Sequence, residues 1–304
     1  IVEPSQTIAS IQSEVGGWVQ AVRSSIDVDL TGIHVVVDCA HGAASHVVAP
    51  ALADLGAQVT PMFNQPDGRN INEACGSTYP QSLAKAVVDA DADIGLALDG
   101  DADRLLAVDH MGTVIDGDQI MAMLALDMDQ RGLLAGSQLV VTVMSNLGLL
   151  RSMDAAGISV EVTPVGDRNV LIALDRLGAN LGGEQSGHLI FTDHGGTGDG
   201  LLSGVQLLGL LKRSGRTIRD LAASSMVVFP QVLQNVRVTQ PMPDIADRIA
   251  KEIAKAEAAL GEQGRVLVRA SGTEPVIRVM VEASEQALAQ QTCDGLCAAV
   301  AELV

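Results

Sequence analysis

The chain has 304 residues, enough for two or three domains with sizeable cores. It carries 37 acidic against 19 basic residues, a net charge of −18, which argues against a general nucleic-acid binder but leaves room for a small anion held by a few placed arginines. No apolar stretch approaches the length of a membrane span, and the N-terminus lacks a basic region followed by an apolar run. Residue 1 is Ile, not Met, which leads us to expect further chain upstream. Aromatic residues make up only 2%, so Ala, Val, Leu and Ile must build the cores.

In chain order, residues 8–22 read as helix, 33–38 as strand, 43–55 as helix ending at Gly56, and 57–60 as strand. A polar loop follows, Pro66 to Asn72 and Cys75-Gly-Ser-Thr78, long enough to suggest function or an interface. Helix 81–90 and strand 94–98 complete a first alternating block. A second block opens near Asp116 with helix 118–130, strand 138–143, helix 146–156, strand 158–163, helix 168–177, strand 188–192 and helix 198–213. This alternation predicts parallel sheets with crossover helices. From about 226 the order changes. Strand 232–238, a charged helix at 243–260, strands at 265–269 and 276–282 and a last helix at 285–303 describe a small α+β domain. We therefore expect two consecutive α/β domains with mixed or parallel sheets, 1–114 and 115–225, followed by an α+β domain at 226–304. The similar element order of the first two suggests an internal duplication.

The most informative run is Asp99-Gly-Asp-Ala-Asp-Arg104. Asp99, Asp101 and Asp103 alternate with small residues, so three carboxylates can converge on one hard divalent cation, with Mg²⁺ the best match. The preceding apolar segment reads as a buried strand, which puts the loop at its carboxyl end, where open α/β sheets hold ligands. Arg104 adds a phosphate-binding fork. Gly182-Gly-Glu-Gln-Ser-Gly-His188, expected between a helix and a strand, offers Glu184 and Ser186 to sugar hydroxyls and His188 to a phosphate or a proton. Val165-Gly-Asp-Arg168 opens a helix; Gly166 and Asp167 either face a substrate or simply start that helix, with Asp167 as N-cap. In Arg269-Ala-Ser-Gly-Thr-Glu-Pro275, the Arg269 guanidinium, the Ser271 and Thr273 hydroxyls and the Gly272 N–H can enclose a phosphate, with Arg278 as a second anchor. The four cysteines, Cys39, Cys75, Cys293 and Cys297, form no Cys-x-x-Cys pair and read as core residues of a reducing, cytoplasmic compartment.

Together the three loops resemble those of the α-D-phosphohexomutase superfamily: a metal loop, a Gly-Glu-x-Ser-Gly-His sugar loop and an Arg-x-Ser-Gly-Thr-Glu-Pro phosphate loop, in that order. Gln185, with the runs His41-Gly-Ala-Ala44 and Cys75-Gly-Ser-Thr78, is similar to the branch that acts on glucosamine phosphates; branches acting on mannose and glucose phosphates more often carry Met or Glu at that position. The resemblance covers the family's second, third and fourth domains. It implies interconversion of glucosamine 6-phosphate and glucosamine 1-phosphate through a phosphoserine and a bisphosphorylated sugar, with Mg²⁺ on Asp99, Asp101 and Asp103. Arg104 and His188 would serve the chemistry. Gly166, Asp167, Glu184, Ser186 and His188 would contact substrate. Arg269, Ser271, Gly272, Thr273 and Arg278 would hold the second phosphate. Mannose or glucose phosphate as substrate, or a donor-less phosphosugar-binding module, are the alternatives. The family's Ser-His-Asn-Pro donor run is absent from this sequence. Ala44-Ser45-His46 lacks the Asn-Pro turn, and Ser45 reads as a helix-start residue. A preceding phosphoserine-bearing domain is thus an expected partner, neither nucleic acid nor membrane is, and a homodimer is left open. Tyr79 and Asn169 stand where the family commonly has His and Tyr.

Overall fold

The computed structural model describes residues 15–240, 242–271 and 274–303. They form two compact units, one comprising residues up to 145 with 152–226, the other 146–151 with the residues from 227 on.

The first unit opens with helix α1 through 15–23. Strand β1 (His34–Asp38) leads through a 3-10 turn (Ala43–His46) into α2 (Val48–Asp54) and back as β2 (Gln58–Met62). The expected single helix at 43–55 is thus broken at Val47. Ser45 Oγ donates to the Gly42 carbonyl (2.7 Å), and the side chain is buried, so this serine serves the turn as anticipated. Then come α3 (Gln81–Asp89), β3 (Ile94–Leu98), β4 (Leu105–Asp109) and β5 (Val114–Ile115). The sheet order is β2-β1-β3-β4-β5, parallel through the first three strands and antiparallel from β3 to β5. Strands β4 and β5, which the sequence reading does not place, make this sheet mixed, within the expected mixed or parallel class, and for a simple reason. Six residues separate β3 from β4, too few for a crossover, so the chain must return antiparallel.

Helix α4 (Gly117–Gln130) follows, started by a capping box in which Asp116 accepts from the Gln119 N–H (3.0 Å). After β6 (Gln138–Thr142), α5 (Leu147–Ala156), β7 (Ser159–Thr163) and α6 (Asp167–Leu177) come β8 (Leu181–Gly183) and β9 (Leu189–Phe191). Their order is β7-β6-β8-β9, with β9 antiparallel to β8. The sugar-type loop therefore connects two strands, not a helix and a strand. Strand β8 escapes a sequence reading because two of its three residues are glycine. Helices α7 (Gly200–Ser214) and α8 (Ile218–Ser225) close this part, α8 capped by the Thr217 hydroxyl, which accepts from the Asp220 N–H.

The two sheets share one wiring: the first strand lies between the second and third, and the fourth returns antiparallel beside the third. The suspected duplication is met at this level. It also gives the two chemical loops equivalent addresses, since Asp99–Arg104 joins β3 to β4 and Glu184–His188 joins β8 to β9. Both cores are aliphatic; Val35, Val36, Val37, Ile94, Leu96, Leu98, Leu139, Val140 and Val141 are all buried.

In the second unit, β10 (Gln231–Arg237), α9 (Ile245–Arg248), α10 (Ala250–Leu260), β11 (Gly264–Ala270), β12 (Val276–Ala283) and α11 (Gln286–Ala301) build an antiparallel sheet, β10-β12-β11, against helices. The single helix expected at 243–260 breaks at Ile249. Fully buried Glu282 is paired by Arg265 (Nε to Oε2, 2.7 Å) and also accepts from the Leu147 N–H (2.8 Å), so its charge is compensated on two sides. All four cysteines are free; Cys39, Cys75 and Cys293 are buried, in line with the core reading, and burial pushes the Cys39 thiol up to about 12. Among the described residues no helix is long and apolar enough to cross a membrane.

Candidate functional site

The carboxylates of Asp99, Asp101 and Asp103 converge: one oxygen of each lies within 4.8 Å of the others. The turn after β3 does this, folding the three alternating acidic residues back on one another, and Gly100 fits it closely because a Cβ there would overlap the Asn72 and Ile71 side chains. Ala102 sits at φ 63°, a left-handed conformation that disfavours any residue with a Cβ. Such strain persists only where the surroundings impose it. They do so here: the Ala102 carbonyl accepts from the Gly200 N–H (2.8 Å) and the Gly100 carbonyl from the Ala43 N–H (2.8 Å). A Cβ on Gly42 would overlap that same Gly100 carbonyl, so the segment after β1 is pressed directly onto the acidic loop.

Asp99 is buried, its Oδ1 accepting the Arg104 N–H (3.1 Å). Burial first, then its hydrogen bond to Asp103 and the charges of Asp103 and Asp101, push its carboxyl up to about 6. Asp103 Oδ1 is buried without a hydrogen-bond partner among the described residues. The nearest cation is Arg104, whose Nε lies 3.9 Å from Asp103 and 3.7 Å from Asp99. Three crowded carboxylates, an orphaned oxygen and an elevated proton affinity are what a hard divalent cation would relieve. A direct consequence is testable. Below about pH 6 Asp99 holds a proton that a cation must displace. Mg²⁺ affinity is expected to be flat above neutrality and to fall about tenfold per pH unit well below 6, as read by calorimetric titration.

His188 is buried directly beside this loop. Its Nδ1 lies 3.1 Å from Asp103 Oδ2, and its Nε2 accepts the Gly198 N–H (3.2 Å). The sugar-type hairpin is stitched by main chain as well, to the acidic hairpin by the Leu105 N–H donating to the Gly187 carbonyl (3.0 Å) and to the start of α4 by the Gly117 N–H donating to the Gln185 carbonyl (3.0 Å). On the same hairpin Glu184 is half-buried, with Oε1 accepting the Gly166 N–H (3.0 Å), while Ser186 is exposed. Gly166, not Asp167, is the N-cap residue of α6; Asp167 is the first helical residue, exposed, and its carboxylate accepts the N–H of its neighbour Arg168 (2.7 Å). The N-cap reading of Asp167 is thereby corrected.

In the second unit Arg269 on β11 faces Arg278 on β12 across the strand pair. Burial and the Arg278 charge lower the proton affinity of Arg269. Like charges in register repel, and an anion between them would remove that cost. Arg278 is tied to Glu274 (3.2 Å), and Ser271 Oγ accepts the Glu274 N–H (3.3 Å). Gly272 and Thr273 lie outside the described residues.

Family models for phosphoglucomutase/phosphomannomutase match along almost the whole chain: alpha/beta/alpha domain II at residues 17–112, alpha/beta/alpha domain III at 116–229 and the C-terminal domain at 233–299. The chain belongs to the phosphoglucomutase/phosphomannomutase family. It is 54% identical over 279 residues to the phosphoglucosamine mutase of Clavibacter michiganensis, covering 90% of this chain and 62% of that protein. It is 49% identical to that of Carboxydothermus hydrogenoformans, covering 92% and 63%. The chain thus spans a little over six-tenths of the length of these relatives. Among solved structures it resembles a phosphoglucomutase/phosphomannomutase family protein from Burkholderia thailandensis, with TM-score 0.75 at 25% identity over 93% of this chain and 63% of that one. The Aspergillus fumigatus N-acetylphosphoglucosamine mutase, solved with GlcNAc-6P and magnesium, shares the fold with TM-score 0.72 at 21% identity, covering 93% of this chain and 68% of that one.

This member of the family uses residues that a sequence reading passes over. Asp38, at the end of β1, is fully buried and accepts the N–H groups of Ala40 and Gly76 (both 2.8 Å), tying two loops beside the acidic turn. Burial raises its carboxyl above the usual range. The polar loop 66–78 proves to be such a support: Asn72 N–H donates to the Ala40 carbonyl (2.9 Å) and Ser77 N–H to the Leu98 carbonyl (2.8 Å). A buried Asp after a run of three valines is the signal that was available.

Proposed function

We propose that the protein carrying these residues is a mutase that interconverts glucosamine 6-phosphate and glucosamine 1-phosphate, on the route to UDP-N-acetylglucosamine. The observation that carries this reading is the identity of about one half to phosphoglucosamine mutases over nine-tenths of the chain. A protein-borne phosphoryl group passes to the free hydroxyl of the sugar phosphate. The bisphosphate turns over in the site, and its other phosphoryl group returns to the protein. This sequence holds no Ser-His-Asn-Pro run, so the reading assigns the donor serine to a part of the protein outside these 304 residues.

Asp99, Asp101 and Asp103 fit Mg²⁺, which when bound supplies positive charge against the transferring phosphoryl oxygens. Arg104 flanks the triad and would meet the same group with a guanidinium. Glu184 keeps one oxygen on Gly166 and has the other for a sugar hydroxyl, with Ser186 on the same turn and Asp167 at the start of α6. Because hydroxyls are gripped on one face, the sugar can be held in either orientation. Arg269, Ser271, Gly272, Thr273 and Arg278 would hold the phosphate that is not reacting. His188, with both ring nitrogens engaged, is assigned to holding Asp103.

The test is a mutase assay on the whole protein with Mg²⁺ and a trace of bisphosphorylated sugar. Glucosamine 6-phosphate is expected to turn over at least about tenfold faster than mannose or glucose 6-phosphate, a discrimination of about 1.4 kcal/mol. Equal or faster turnover of either neutral sugar would overturn the substrate assignment. Residues 1–304 alone are expected to give no turnover; robust turnover would put the donor within them.

A further inference from the structure

A train of hydrogen bonds runs from the acidic loop to the chain's single tryptophan. It begins at Asp103, whose Oδ2 faces His188 Nδ1 at 3.1 Å. The other ring nitrogen, Nε2, accepts the Gly198 N–H. A backbone N–H only donates, so Nε2 carries the lone pair, and the ring proton on Nδ1 points at Asp103. The tautomer is set from the Gly198 side. That residue is pressed on the ring, since a Cβ there would overlap the imidazole.

The next residue, Asp199, is held from two directions. Its Oδ1 accepts the Leu202 N–H (2.9 Å) and caps α7, while its Oδ2 accepts the indole N–H of Trp18 on α1 (2.7 Å). Gly200 then donates to the Ala102 carbonyl inside the acidic loop (2.8 Å). Residues 198–200 thus grip that loop twice, through His188 on Asp103 and directly at strained Ala102. Trp18 and Asp199 share with Asp101 and Asp103 the wall of one cavity of about 300 Å³.

We propose that Asp199, braced by Trp18, is a positioning residue of the cation site: it holds residues 198–200 where Gly198 fixes the His188 tautomer and Gly200 fixes Ala102, so that Asp103 keeps its orientation toward Asp99 and Asp101. The inference rests on reading the triad as a divalent-cation site. Asp199 is not one of the three convergent carboxylates, and both its oxygens are engaged, by Leu202 and Trp18. Groups that orient a metal ligand through an intervening side chain typically govern affinity without contributing a ligand.

Two variants separate this role from mere helix capping. Asp199→Asn keeps a carbonyl oxygen to cap α7, as Asn caps as well as Asp. Its amide nitrogen cannot accept the Trp18 N–H. Trp18→Phe removes the same hydrogen bond without changing any charge. Mn²⁺ binding, followed by electron paramagnetic resonance of the free ion, is the readout, with thermal unfolding of the metal-free protein alongside. Each variant is expected to weaken Mn²⁺ about tenfold. The double variant is expected to be no weaker than either single one, because both break one bond. Unchanged Mn²⁺ affinity in Trp18→Phe would overturn the proposal, as would additive losses in the double variant. A lowered unfolding midpoint with normal Mn²⁺ affinity would reduce Asp199 to a helix cap and overturn it too. Failure of the unaltered protein to bind Mn²⁺ at all would instead remove the cation reading on which the proposal stands.

Discussion

Asp101→Ala is expected to abolish divalent-cation binding and to lower mutase turnover in the whole protein by about 10²–10³-fold, with little change in folding stability. Asp101 is the member of the triad best suited to this test. Asp99 accepts the Arg104 N–H, and Asp103 receives His188, so replacing either also disturbs the loop. The side chain of Asp101 is exposed and enters no hydrogen bond among the described residues. Its charge is one of those raising the proton affinity of Asp99, so its removal relieves repulsion in the metal-free state. The metal-free unfolding midpoint should therefore hold or rise slightly. Saturating Mg²⁺ should raise the midpoint of the unaltered protein, because only the folded triad binds it, and should leave that of Asp101→Ala unmoved. Normal turnover and a normal Mg²⁺ response in the variant would sink the metal assignment.

Much of this arrangement is legible in the order of residues, and the parts that are not share a cause. Alternating carboxylates, a Gly-Glu-Gln-Ser-Gly-His run and an Arg-x-Ser-Gly-Thr-Glu-Pro run mark three loops because each packs unusual residue types into a few positions. Strands such as Val35 to Asp38 and Ile94 to Leu98 announce themselves as short apolar runs, since a strand buried on both faces needs no polar alternation. The antiparallel returns β4, β5 and β9 are a matter of pairing partners, which are set by loop length and not by propensity. Helix α8 is only eight residues long, too short for periodicity to stand out, although Thr217 and Asp220 mark its start. What no local reading delivers is the meeting of Asp103 with His188, which is 85 residues away, or of Asp199 with Trp18, 181 residues away. The first contact joins the hairpins that follow the third strand of each sheet, equivalent places in the duplicated wiring, whereas the second joins α1 to the start of α7 and has no counterpart in it.

The closeness of those two hairpins leads to the largest expected effect on stability. Gly187→Ala should destabilise the first unit by about 3 kcal/mol or more and lower its unfolding midpoint by roughly 6–12 °C. Two independent penalties act there. Gly187 has φ 93°, outside the regions open to a residue with a Cβ. An added Cβ would also overlap the Leu105 carbonyl, with the Leu105 backbone on either side, and main chain cannot swing aside as a flexible side chain can. The displacement it forces would break the Leu105 N–H to Gly187 carbonyl bond, one of the stitches between the acidic turn and the sugar-type turn. Gly178 provides the control. It too has a positive φ, 65°, at the end of α6, but a Cβ there meets nothing within 4 Å. Gly178→Ala should therefore cost only about 1 kcal/mol, the conformational part alone. A comparison of the two variants by thermal unfolding isolates what the contact between hairpins contributes. If Gly187→Ala lost no more than Gly178→Ala, the hairpins would not be in the close register described. If the larger loss appeared together with weakened Mn²⁺ binding, the sugar-type turn would be acting on the acidic loop through its main chain as well as through His188. That outcome follows from the structure because Leu105 directly follows Arg104 and lies two residues from Asp103, so a shift at Gly187 must move the carboxylates.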